Sequence, residues 1–190
     1  ASTLGAFICG LAVGSFVGAW IAGRTRTPAL PLALTLTMAA AAAIWASHQA
    51  GGPLLREALT LAGASDPSPA RRLASQWLSA AALVLPLAIA LGAAFPTALA
   101  LALSPDRSPA RRLSVVYGIN TLGSVAGALA AGFVVVPLLG LQRTIQVASA
   151  LLLLGVALIA LRALRSGRAR AVVLLPALAT VALLVLAPPW

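Results

Sequence analysis

Long apolar blocks, each parted from the next by a short connector rich in arginine, glycine or proline, limit what this chain can become. They run over residues 1–23, 29–49, 73–103, 113–139, 143–161 and 171–187. Blocks of roughly 17 to 30 residues, wound as helices at ~1.5 Å per residue, are long enough to cross a hydrocarbon core of ~30 Å. No soluble surface can be made around them: of 190 residues 61% are hydrophobic and only 8% charged, against about 25% charged in soluble domains. The expected fold class is all-α, a polytopic transmembrane helical bundle of about six spans, with residues 1–190 forming one transmembrane helical domain. The third block contains Pro86 and Pro96, which predicts one kinked or strongly tilted helix over two short ones. The last block is just long enough to cross and has Pro176 near its start.

Charge is distributed as unevenly as hydrophobicity. The thirteen basic residues are all arginine, the acidic ones are Glu57, Asp66 and Asp106, and the formal net charge is +10. Every arginine falls in a connector, so no folded basic surface for nucleic acid is expected, and the fitting partner is the anionic face of a lipid bilayer. Counting connectors alternately puts Arg24, Arg26, Arg107, Arg111, Arg112, Arg162, Arg165, Arg168 and Arg170 on one side, and Arg56, Arg71, Arg72 and Arg143 on the other. The arginine-rich side is the expected cytoplasmic side, and localisation in a bacterial inner (cytoplasmic) membrane follows as the expectation. Six crossings would leave both ends of the chain extracytoplasmic.

The connector "GGPLLREALTLAGASDPSPARR" contains Leu54, Leu55, Ala58, Leu59 and Leu61, spaced either for a short amphipathic helix on the interface or for a plain solvated loop. "SDPSPARRL" at 65–73 returns as "SPDRSPARRL" at 104–113. The echo reads as one local solution, Ser-Pro ending a loop before interfacial arginines, or as duplication of the kind transporter repeats record.

Within the fourth block, "YGINTLGSVAGALAAGF" at 117–133 has few of the leucines that fill an ordinary core. Helices in lipid gain little from burying apolar surface against each other, since acyl chains are equally apolar; small residues let backbones approach closely instead. Gly123 and Gly127 form a GxxxG that Gly132 extends, and Gly10, Gly14 and Gly18 repeat the four-residue step in the first block. These six glycines are the predicted helix-packing residues, which makes other transmembrane helices or subunits expected partners. Asn120, Thr121 and Ser124 form a candidate polar intramembrane site, facing inward either as hydrogen-bonded packing residues or as a substrate contact.

Residues for chemistry are scarce. All three carboxylates lie in connectors, His48 stands near the end of the second block, and Cys9 is the only cysteine. Neither a metal site nor a nucleophile with its base can be assembled from such a set, and the glycines lie inside helices, away from any phosphate-binding loop. No catalytic, cofactor-binding or metal-binding residues are expected in this segment.

The tract "LPLAIALGAAFPTALALAL" followed by "RRLSVVYGINTLGSVAGALAAGFVVVPLLGLQRT" resembles the membrane region of polytopic spermidine-synthase-like proteins, also described as fused major-facilitator and spermidine synthase proteins. The resemblance rests on Gly92, Phe95 and Pro96, then Tyr117, Asn120, Thr121, Gly123, Gly127 and Gly132, then Pro137, Gly140 and Leu141, and "LGAFICGLAVGSFVGAWIAGR" is similar to an early span of that family. It implies a further span before Ala1 and, beyond the Trp190 of "APPW", an aminopropyltransferase-like domain that would bind decarboxylated S-adenosylmethionine and a polyamine. The chain would then be the membrane portion of a longer protein. A domain using a cytosolic cosubstrate would hang from the cytoplasmic side, one crossing away from where the arginine tally puts Trp190.

The expected function is a non-catalytic membrane domain that anchors a spermidine-synthase-like half or packs as a helical subunit in a larger membrane assembly. One alternative is a fragment of a small-molecule or polyamine permease with its path near Pro86, Pro96 and Asn120, although the spans offer a cation no acidic lining. Another is the membrane part of an active aminopropyltransferase. With Cys9→Ser as background, a cysteine introduced by Arg111→Cys is expected to resist an impermeant maleimide added outside intact cells; labelling from outside would invert the topology.

Overall fold

The computed structural model describes residues 2–52, 69–103 and 109–186, and among these no β-strand forms. Helix α1 spans Ser2–Arg24, α2 Ala29–Gly51, α3 Pro69–Ala102, α4 Pro109–Ala130, α5 Val136–Arg162 and α6 Gly167–Val185, with a π-helical turn, Ala131–Val135, joining α4 to α5. Helix is the only open structure whose backbone hydrogen bonds close within one segment, which is what an apolar solvent demands of blocks like these. The amphipathic stretch at 54–61, the turn sequences of the echo at 65–68 and 104–108, and residues 187–190 lie outside the described residues.

Alpha-helical lengths follow the apolar blocks closely. Pro28 starts α2 with φ −62°, an angle its ring imposes and a helix needs. Pro86 and Pro96 both lie inside α3, which runs as one helix of 34 residues. Each proline lacks the N–H that would bond the carbonyl four residues back. For Pro96 that carbonyl is Gly92, and the Ser15 hydroxyl of α1 donates to it at 3.3 Å. A side chain from the neighbouring helix thus supplies the donor that the proline withholds. Pro176 lies inside α6, and the Thr180 hydroxyl one turn on back-bonds to the Pro176 carbonyl at 2.8 Å.

Five helices are long and apolar enough to cross a membrane: Thr3–Arg24, Ala29–Gly51, Trp77–Ala102, the continuous run Ala110–Arg162 and Gly167–Val185. The fourth and fifth blocks of the sequence, 113–139 and 143–161, fall within that single run of 53 residues. The run is not uniform. Val136 donates its N–H to Ala131, five residues back, next to Pro137, which has no N–H to give. At Gly140 the backbone leaves helical geometry altogether, with φ 78° and ψ 171°, a conformation that only glycine adopts without strain.

Packing is carried by small residues. α1 and α3 run parallel, Gly10 lying against Leu85 and Ala88, Gly14 against Ile89, and Gly18 against Ala93. α3 also packs on α2, and α2 in turn on α5 and α6. Leu36 sits beside Gly155, and Ala29, Ala33 and Ala40 of α2 share a buried cluster with Leu153, Val156, Ala160 and Leu164 of the α5 end and Val173 and Ala177 of α6. α2 and α5 are therefore antiparallel. Three buried threonines are turned onto their own helices: Thr35 donates to Leu32 O, Thr37 to Ala33 O, and Thr97 to Ala93 O, at 2.9, 2.8 and 2.9 Å.

A Cβ added at Gly14 would collide with the Ile89 backbone, whereas one added at Gly5 on the same helix would meet nothing within 4 Å. Gly14→Ala is expected to destabilise the detergent-solubilised protein by about 1–3 kcal/mol, and Gly5→Ala to leave it within ~1 kcal/mol of the parent. Thermal unfolding followed by circular dichroism reads both, and equal effects would refute the seam.

Candidate functional site

The two glycine ladders read from the sequence meet different fates. Gly10, Gly14 and Gly18 are all buried, as is Ala6 at the head of the same stripe. A Cβ at Gly10 would come to 2.6 Å from the Ala88 Cβ, and one at Gly18 to 2.6 Å from the Ala93 carbonyl oxygen. The partner surface on α3 is itself cut back, with Ala81, Ala88, Ala90 and Ala93 buried and Gly92 pressed against the Leu11 backbone. Sequence reasoning missed α3 as the partner of this face. The signal was present in the spacing of Ala81, Ala88 and Gly92, but small residues are so common in this chain that spacing alone could not single them out.

On α4 the same motif faces open space. Gly118, Gly123, Gly127 and Gly132 would each accept a Cβ with nothing within 4 Å. From Ala110 to Ala130 only Arg112 and Val116 are even half-buried. Two contacts pin the first turns of α4 to α3: Arg112 donates from Nη1 to the Ala102 carbonyl at 2.7 Å, and the Tyr117 ring meets Phe95 edge-to-face at 5.0 Å and 69°. Beyond Tyr117 the helix stands clear.

Asn120, Thr121 and Ser124 are exposed on this uncovered length. The Ser124 hydroxyl donates to the Asn120 carbonyl at 2.8 Å, the back-bond by which a helix absorbs a serine in an apolar medium. The three polar residues share one stretch of α4 and are brought to no side chain of the bundle that would complete a reacting group. Cys9 is exposed on α1, and His48 is half-buried near the end of α2. Among the described residues no three His, Cys, Asp or Glu side chains gather. One polar group the sequence did not flag is Ser149 on α5, fully buried with its hydroxyl unpaired.

What this arrangement can do is present a helix. α4 offers a narrow ridge of Gly123 and Gly127 beside a flank containing Asn120 and Ser124, where a second helix could approach as closely as α1 approaches α3. No protein-family model, curated protein or solved structure matches the chain.

The Phe95–Tyr117 pair is the hinge-side anchor of α4, and aromatic pairs in this geometry contribute about 0.5–1.5 kcal/mol beyond their area. A double-mutant cycle of Phe95→Leu and Tyr117→Leu is expected to return a coupling energy in that range; zero coupling would mean that α4 is held by other contacts.

Proposed function

We propose that this chain is a non-catalytic integral membrane domain whose α4 docks against transmembrane helices beyond those described, either to anchor a spermidine-synthase-like half or to seat the bundle in a larger membrane assembly. The observation that carries the reading is the contrast between the two glycine ladders. One is used in full against α3, while the other, with the same four-residue step, is bare on a helix that touches its own bundle only near its start.

The reading includes six crossings in a bacterial inner membrane. A straight run of 53 residues would measure about 80 Å at ~1.5 Å per residue, more than twice a hydrocarbon core of ~30 Å. Two crossings joined at Gly140 would remove that excess, and the break in helical geometry at its positive φ supports this reading. The resemblance of 85–144 to the membrane region of spermidine-synthase-like proteins supports the anchoring half of the proposal.

Replacing both Gly123 and Gly127 with leucine is expected to abolish co-purification with partner helices. The α1–α3 seam should survive, so the variant still extracts as a helical monomer. Unchanged assembly in native gels after mild extraction would overturn the docking role of α4. A strand followed by Gly-x-Gly and an acidic pair in the gene beyond Trp190 would favour the anchoring form.

A further inference from the structure

Six of the arginines that the connector tally puts on one side share one end of the bundle. Arg24 and Arg26 precede α2, Arg162 ends α5, Arg165 lies in the α5–α6 turn, and Arg168 and Arg170 open α6. Ala29 at the start of α2 belongs to the same buried cluster as Ala160, Leu164 and Val173, with Leu30 and Ala169 packed against it. Since α2 and α5 are antiparallel, all six guanidinium groups ring that end, and all six are exposed. The described residues hold no carboxylate to neutralise them, since Glu57, Asp66 and Asp106 all lie outside the described residues.

Two further features make the end suited to an anion with an apolar tail. The N-terminus of α6 opens here with neither a side-chain cap nor an acidic residue in its first turn, so its free N–H groups add partial positive charge. Arg24 is stacked over the Trp20 ring, its guanidinium carbon 4.2 Å from the centroid, and Arg170 donates from Nε to the carbonyl of buried Leu164 at 2.7 Å. These contacts hold two of the cations at the rim of the apolar helices. Immediately beneath the rim, Trp20, Leu161, Val172 and Leu175 are each more than half exposed. A free anion or a nucleic acid has no use for that apolar wall, whereas an acyl chain does.

We propose that this end is a docking surface for an anionic phospholipid, its phosphate held by the arginines around the α5–α6 turn and its chains laid along α5 and α6. The proposal rests on the reading of the chain as membrane-spanning and adds to it a preference for one class of lipid at one end. Each arginine near a headgroup is worth about fivefold in affinity, so Arg165→Gln with Arg168→Gln should weaken binding roughly 30-fold. Arg143 near the start of α5 stands at the opposite end and is the control.

The test uses the whole chain reconstituted in phosphatidylcholine vesicles doped with brominated phosphatidylglycerol, reading saturable quenching of tryptophan fluorescence. The expected result is half-saturation shifted roughly 30-fold by the Arg165→Gln, Arg168→Gln pair and unmoved by Arg143→Gln, with circular dichroism unchanged in all three. Quenching equal to that by brominated phosphatidylcholine, or equal losses for the pair and for Arg143→Gln, would overturn the site while leaving the membrane reading intact. Displacement of the quencher by inorganic phosphate would mean a site for a free anion and would overturn the lipid assignment. Failure of the chain to insert into vesicles would overturn both the site and the membrane reading, and insertion measured by flotation separates that outcome from the others.

Discussion

Close approach of one backbone to another is the constraint on which this bundle depends. In water, helices join because apolar surface is expelled from solvent, and bulky side chains serve as well as small ones. In hydrocarbon that drive is lost, and what remains is dispersion between atoms brought into contact, helped by weak hydrogen bonds. The α1–α3 seam meets this requirement by removing side chains: Gly10, Gly14 and Gly18 let the Leu85–Ala93 backbone approach until a single added methyl would have no room. The α2–α5–α6 core uses alanine and valine to the same end. Leucine, abundant in the chain, is left mostly facing outward, where Leu138, Leu151, Leu161 and Leu175 are exposed.

Prolines are the second consequence of the same solvent. Each one frees a carbonyl that water would satisfy in a soluble protein, and here the neighbouring structure must do it. Ser15 reaches from α1 to Gly92 opposite Pro96, so one contact both repairs the helix and adds a polar stitch to the glycine seam. Around Pro137 the chain answers differently, with a π-turn before it and the break at Gly140 after it. Thr144 then donates to the Gly140 carbonyl at 2.7 Å. This is the one place among the described residues where the helical path is redirected, and it lies between an arm that stands clear and a helix packed into the core.

The functional reading follows from what the packing leaves over. A bundle that used every small-residue face internally would be self-sufficient in lipid. This one keeps α4 uncovered, together with the amide of Asn120. At the arginine-rich end six cations have no countercharge among the described residues. Both features are exposed, and on them rest the two proposals, a helix partner for one and lipid phosphate for the other.

How much of this could be read beforehand divides along the range of the physics involved. The first two apolar blocks, 1–23 and 29–49, became Ser2–Arg24 and Ala29–Gly51, and the third stayed one helix despite Pro86 and Pro96. Hydropathy, block length and proline are properties of a short stretch of chain, and the demand that backbone groups bond locally turns them directly into helices. The glycine spacing was equally visible at 10–18 and at 123–132. Nothing in it distinguished the ladder that closes on α3 from the ladder that stays bare, nor revealed that 113–139 and 143–161 would join in one run redirected at Gly140. Which helices pair depends on contacts between residues as distant as Gly10 and Ala88 or Ala29 and Leu164. Such contacts are decided by the fit of whole faces in three dimensions, so the amino-acid order determined the long apolar helices, and only the tertiary structure decided which of them pair.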